Sequence, residues 1–222
     1  MGRLKSIVRG FLNSAIGCNV PRRKVIDQAA EYISFDIFDT LVVRDLSEPT
    51  ELFRKIEQTQ QIPHFAENRI LAEKKARQKA NGEVTIEDIY RCFPGVSEEK
   101  IPEYCRRELD MELQVCRANE RIAEFYSECI RRKKVVLVSD MYLPTAMMSE
   151  IIDHCGITGY EKIYISCDEG TTKRSGGLYD AVLKDLGITA DRLTHIGNDF
   201  MGDYICAKRR KIRAVKIKTK RG

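Results

Sequence analysis

The chain has 222 residues, with 38 Lys and Arg against 33 Asp and Glu, for a formal net charge of +5. The excess sits at the ends: residues 1–24 hold six basic groups and no acid, residues 208–222 hold nine and no acid, and residues 25–207 are left with a net −10. An acidic body excludes reading the basic total as a nucleic-acid-binding signature, 43% hydrophobic with 32% charged residues excludes a disordered chain, and no apolar run approaches the ~20 residues of a membrane helix.

Taken in chain order, residues 1–24 form a basic N-terminal segment. Leu4, Ile7, Val8, Phe11, Ala15 and Ile16 fall on one helical face, with Arg3, Lys5 and Arg9 elsewhere. Such a face packs on the core, or meets an anionic membrane surface or a protein partner. The segment is interrupted by Arg9 and predicts no secretory leader. Five runs rich in β-branched and aromatic residues then predict strands: 32–38, 134–140, 162–167, 193–198 and 212–217. The first four are largely apolar, as in a parallel sheet buried on both faces. The fifth alternates and suits an edge protected by lysine. Helices are predicted from Pro144 to Gly156, from Leu178 to Gly187, and from Tyr204 to the basic run 208–211. Between the first two strands, residues 46–132 show no good strand and read as helices over 48–60, 65–80, 85–92, 98–117 and 119–132, punctuated by Pro63, Asn81-Gly82 and Pro94-Gly95. The predicted fold is therefore α/β: a Rossmann-like three-layer core (25–45 and 133–222) with a five-stranded, mostly parallel sheet, and an all-α cap inserted over 46–132.

Chemistry-bearing residues cluster at the strand ends. Asp36 interrupts an apolar run, where a carboxylate is costly unless used. In a parallel sheet it faces the crevice beyond the carboxyl ends of the strands. Ser139-Asp140 end the second strand, Asn198-Asp199 the fourth, with Asp203 four residues on, and Lys173 precedes a helix. Eight cysteines lack any CxxC spacing and read as reduced, buried thiols of a cytoplasmic protein. His195 lies in an apolar strand and reads as a satisfied core histidine.

These residues, in the phrases FDIFDTLV, VVLVSD, TKRSG and HIGNDFMGD, resemble the four motifs of the haloacid dehalogenase (HAD) superfamily of hydrolases, in order. The resemblance covers roughly 31–45 and 133–217, and the helical insert falls where that superfamily places its type-1 cap. SFDIFDTLV, SDMYLP and HIGND look most like a bacterial branch of predicted hydrolases, some joined to sugar-transferase domains. The resemblance implies a Mg2+-dependent phosphohydrolase acting on a small phosphorylated metabolite such as a phosphosugar. Asp36 would be the nucleophile forming an aspartyl-phosphate, Ser139 would hold a phosphoryl oxygen, and Lys173 would neutralise charge. Asp36, the Phe38 carbonyl and Asp199 would bind Mg2+, with Asp203 direct or one shell out.

One departure stands out. The superfamily's phosphatases carry a second Asp two residues after the nucleophile, as general acid and base, and here that position is Phe38. Asp39 is the substitute to consider, although in an extended strand it points away from the face shared by 36 and 38. The haloacid dehalogenases proper carry an aromatic residue there and use no metal, so a dehalogenase-like hydrolase is the alternative. A non-catalytic phosphate-binding or docking module in glycan assembly is the other.

Overall fold

The computed structural model describes residues 22–27, 30–80 and 82–217. The amphipathic face expected over residues 4–16 lies outside the described residues. Alternation along the strands builds two apolar layers. Ile33 and Phe35 of β1 (Tyr32–Phe35) and Val135 and Leu137 of β4 (Lys134–Ser139) enter one cluster, and Tyr32, Val136 and Val138 enter the other. The five-stranded sheet has order β5-β4-β1-β6-β7, where β5 is Lys162–Ile165, β6 Leu193–Gly197 and β7 Arg213–Lys216, and every pairing is parallel. The basic strand β7 is an edge, paired only with β6.

Helices cover both faces. On the first lie α1 (Arg22–Asp27), α6 (Glu120–Arg132) and α7 (Thr145–His154). Phe125 and Tyr126 of α6 meet Phe35 edge-on, with centroids 6.1 and 5.3 Å away. On the second lies α9 (Gly177–Leu186), ended by Gly187 at φ 63°. A four-residue helix, α8 (Ser166–Glu169), follows β5.

The segment between β1 and α6 begins and ends in short strands. β2 (Val42–Arg44) pairs antiparallel with β3 (Cys116–Ala118). The helix expected over 98–117 stops at Val115, and β3 follows it; three residues are too few to show alternation. Between them stand α2 (Glu51–Gln60), α3 (Phe65–Lys79), α4 (Ile86–Arg91) and α5 (Ile101–Val115). Thr85 and Asp88 form a reciprocal capping box on α4. Helix α6, expected at the end of the insert, packs against the sheet through Phe125 and Tyr126.

The insert is fixed to the core by buried charge. Arg69 of α3 and Glu108 of α5 are wholly buried and fork-bonded at 2.7 and 2.9 Å. Glu108 also accepts from Tyr90 at 2.6 Å and from Tyr142, just past β4, at 2.8 Å. The amide of Ile86 donates to Tyr142 O at 2.8 Å. A buried carboxylate with four such donors is satisfied, and it ties α3, α4 and α5 to the end of a core strand.

Candidate active site

Strand β1 stops at Phe35, and the next residue lies at the carboxyl edge of the sheet. Asp36 is 6% exposed. Its amide still donates to Ile196 O of β6 at 2.9 Å. The chain then turns sharply: the amides of Thr40, Leu41 and Val42 all donate to Ile37 O. Asp39 takes the left-handed conformation, φ 56°, that the turn requires. The turn brings Thr40 onto the nucleophile candidate, its hydroxyl donating to Asp36 Oδ2 at 2.9 Å. Asn119, buried before α6, braces the same turn by donating from Nδ2 to Thr40 O at 2.8 Å and from its amide to Leu41 O at 2.8 Å.

Lys173 Nζ lies 2.5 Å from Asp36 Oδ1 and 2.7 Å from Asp203 Oδ1, with all three side chains nearly excluded from solvent. A loop of side-chain hydrogen bonds among Thr171, Thr172 and Ser175 sets the backbone that carries Lys173. Asp203 also accepts from His195 Nε2 at 3.2 Å and, through Oδ2, from the Asp199 amide at 2.8 Å. Because an ionised carboxylate only accepts, His195 is the Nε2–H tautomer and takes the Ser34 hydroxyl on Nδ1 at 2.8 Å. Asp203 lies in a seven-residue π-helix (Phe200–Cys206) that stands where an α-helix starting near Tyr204 was expected. Asp199 caps this π-helix by accepting from the Gly202 amide at 2.5 Å.

The charges follow from this packing. Burial pushes the Asp36 carboxyl up to about 7, with Lys173 opposing and Asp203 adding to the rise. Asp203 is penalised by burial as well, but Lys173 and His195 hold it below the usual carboxylate range. Two carboxylates so close keep Lys173 protonated against its own desolvation, well above the ordinary lysine value. Burial holds His195 neutral and below its usual value.

Ser139, 2% exposed, ends β4 on the neighbouring strand. Asp140 follows it, and its Oδ1 accepts the Lys173 amide at 2.7 Å. A cleft of about 670 Å3 opens here between core and insert, lined by Asp140, Tyr142, Thr172, Arg174 and Asp199 below and by Glu73, Arg77 and Glu83 above. Asp36, Lys173 and Asp203 are thus brought together, with Ser139 at the adjacent strand end. Asp39 joins none of the hydrogen bonds that link them. Thr40, Asn119 and the cleft arginines Arg77 and Arg174 were not singled out in the sequence for these places. A threonine and an asparagine in a turn carry no pattern, and Arg174 stood in the shadow of Lys173.

For Mg2+ the donor set is oxygen, as the ion requires. Asp36, Asp199 with Oδ1 outside the helix cap, and the Phe38 carbonyl, which lies outside the turn's hydrogen bonds, fit that chemistry. Asp203 is held on both oxygens by Lys173, His195 and the Asp199 amide, which suits a place one shell out from the ion. Among the described residues no three acidic, histidine or cysteine side chains converge on one point.

No family model matches the chain, and no curated protein matches it in sequence. Solved structures do match in shape. A variant of a HAD family enzyme from Bacteroides thetaiotaomicron, in complex with magnesium and inorganic phosphate, is 13% identical, with 87% of this chain and 97% of that one covered and a TM-score of 0.57. A 2-haloacid dehalogenase from Pseudomonas syringae is 15% identical over 83% and 85% of the two chains, with a TM-score of 0.57. A HAD phosphatase from Thermococcus onnurineus is 17% identical over 86% and 89%, with a TM-score of 0.55. At these identities the likeness establishes architecture: the chain has the fold of the HAD hydrolases, a Rossmann-like core carrying a helical cap.

Proposed function

We propose that the chain is a Mg2+-dependent phosphohydrolase of small phosphorylated metabolites, with Asp36 as nucleophile. The observation that carries the reading is the Lys173 ammonium held between Asp36 and Asp203 at the carboxyl edge of the sheet, beside a cleft roofed by the insert. An oxygen of Asp36 attacks phosphorus, the phosphorus–alkoxide bond breaks, and an aspartyl-phosphate remains. Water then attacks phosphorus, releasing phosphate and restoring the carboxylate. Lys173 offsets the charge of Asp36 and of the phosphoryl group, and Asp203 and His195 hold Lys173 in place. Ser139 offers a hydroxyl and an amide to a phosphoryl oxygen. Mg2+ held by Asp36, Asp199 and the Phe38 carbonyl would supply Lewis-acid polarisation of the phosphoryl oxygens.

Arg174 and Arg77 give the cleft cations for an anionic ester, and its four carboxylates suit a polyhydroxylated remainder. A phosphosugar fits that lining, and the resemblance to the branch linked to sugar transferases favours the same class. The seven described cysteines are free thiols, in keeping with a cytoplasmic enzyme.

Phe38 favours a second reading, a dehalogenase-like hydrolase, because a departing halide needs no proton. One experiment separates the two: turnover of a panel of phosphate esters and of 2-haloacids, with and without Mg2+, by wild type and Asp36→Asn. Mg2+-dependent phosphate release lost in the variant supports the phosphohydrolase. Halide release indifferent to Mg2+ supports the second reading. Ester binding with no turnover by either protein would leave only a binding module.

A further inference from the structure

An alkoxide leaves phosphorus slowly unless it is protonated, and Phe38 has no proton to give. We propose that Asp140 is the catalytic general acid and base of this site; the proposal rests on the phosphohydrolase reading above. Three placements carry it. First, Asp140 directly follows Ser139 at the end of β4, the strand beside β1; Leu137 pairs with Phe35, so Asp140 lies two residues beyond the level of Asp36, toward the cleft. Second, a single residue sets both carboxylates. Lys173 donates its amide to Asp140 Oδ1 at 2.7 Å and its ammonium to Asp36 Oδ1 at 2.5 Å. Among the hydrogen bonds of the described residues Asp140 uses only Oδ1, which leaves Oδ2 for a substrate. Third, Asp140 lines the cleft in which the ester's alcohol portion would lie.

The surroundings suit the role. Burial raises the Asp140 carboxyl above its ordinary range, with Lys173 opposing and Glu83 and Asp203 adding to the rise. Arg174 and Asp199 share the cleft with it. The competing carboxylates are otherwise engaged. Asp199 caps the π-helix, and Glu83 accepts from the Ser166 hydroxyl at 2.7 Å and faces Arg77 at 3.8 Å. Asp39 stands in the left-handed turn, outside the Asp36 network.

In the first half-reaction Asp36 bonds to phosphorus, the bond from phosphorus to the leaving oxygen breaks, and the Asp140 proton goes to that oxygen, giving the alcohol and an Asp140 carboxylate. In the second, Asp140 takes a proton from water as the water oxygen bonds to phosphorus. The bond from phosphorus to Asp36 breaks, phosphate leaves, and Asp140 is again protonated.

Asp140→Asn tests this, because its amide oxygen can still accept the Lys173 N–H while no acidic proton remains. An alkyl phosphate is compared with p-nitrophenyl phosphate, whose leaving group needs no protonation. We expect kcat/KM for the alkyl ester to fall on the order of 10²–10⁴-fold, and that for the aryl ester to change less than about tenfold. The aryl ester should show a burst of p-nitrophenolate, since the second half-reaction then lacks its base. The alkaline limb of the alkyl kcat/KM profile should vanish. Equal losses on both esters, no loss on either, or a leaving-group-dependent loss in Asp39→Asn instead would overturn the assignment of Asp140 alone. A wild type inactive on both esters would overturn the phosphohydrolase reading, and this proposal with it.

Discussion

The guanidinium of Arg44 lies over the ring of Phe38, its carbon 3.8 Å from the ring centroid, and closes a fork on Glu112 with bonds of 2.8 and 2.6 Å. Arg44 ends β2 and Glu112 belongs to α5, so the turn that carries Asp36 is joined to the insert by a stacked, nearly dry ion pair. Phe38 has a packing role, its ring carrying the Arg44 guanidinium. Removing Arg44 alone would strand a carboxylate that is fully buried. Arg44→Ala is expected to destabilise the fold by about 3–5 kcal/mol. The double replacement Arg44→Met with Glu112→Leu should cost far less, because no buried charge is left alone. Urea unfolding of the single and double variants measures the difference, and equal losses would show that the pair is not coupled.

The same stack predicts the fate of an acid restored at this place. In Phe38→Asp the new carboxylate would stand beside the Arg44 guanidinium, which favours its ionised form and makes it a poor proton donor. Turnover of alkyl phosphates should therefore not rise. A gain of about tenfold or more would show that Arg44 turns away and that the position can still serve as the acid.

Lys173 is shared between two carboxylates, and its loss would leave both buried without a cation. Lys173→Met should abolish turnover and lower stability by about 3–5 kcal/mol. Adding Asp36→Asn to it should restore part of the stability and none of the activity, because one of the two stranded charges is gone. Thermal unfolding followed beside phosphate release distinguishes the two effects, and a second substitution that lowers stability further would contradict a charge origin.

His195 sets a pH window for stability. Its folded pKa is below its unfolded value of 6.5, so the folded state binds the proton less well. The stabilisation is present above about pH 6.5 and is lost as pH falls toward the folded pKa, at up to about 1.4 kcal/mol per pH unit. Asp203, also lowered, adds a loss further down, below its unfolded value of 3.8. Between pH 7.5 and 5 the raised Asp36 carboxyl acts with the opposite sign, adding stability as pH falls below about 7, so the test is differential: on acidification the denaturant midpoint of wild type should fall relative to that of His195→Gln. Parallel curves would remove His195 as the cause.

Much of the architecture is legible in the chain because it is written locally. Val135-Val136-Leu137-Val138 can only be a strand buried on both faces, and Asp36 is conspicuous because it ends such a run. What was hidden depends on partners far apart in sequence. Arg44 and Glu112 are separated by 68 positions, and each alone is an ordinary charge, one at a strand end and one on a helix. The β2–β3 pair is three residues long on each side. The face of α6 bearing Phe125 and Tyr126 reads as amphipathic, but nothing in that stretch says that β1 lies beneath it. Asn119 reads as a helix cap, which it is, while its side-chain amide nitrogen holds the turn after Asp36.

The closeness of the Asp203 side chain to the backbone gives the sharpest test of the site's geometry. A Cβ on Gly197 would stand 2.2 Å from Asp203 Oδ2 and 2.4 Å from its Cγ. That carboxylate cannot yield freely, because Lys173, His195 and the Asp199 amide hold it from three directions. Gly197→Ala must therefore displace Asp203, and with it the ammonium that positions Asp36. A shift of about 1 Å at such a site costs on the order of 10²-fold in rate, whereas Gly159→Ala, strained by its φ of 85° and by Ile130 Cδ1 at 2.8 Å but away from the site, should leave kcat/KM near wild type. Equal kinetic losses in the two variants would mean that the damage is general destabilisation and that the Gly197–Asp203 contact does not position the nucleophile.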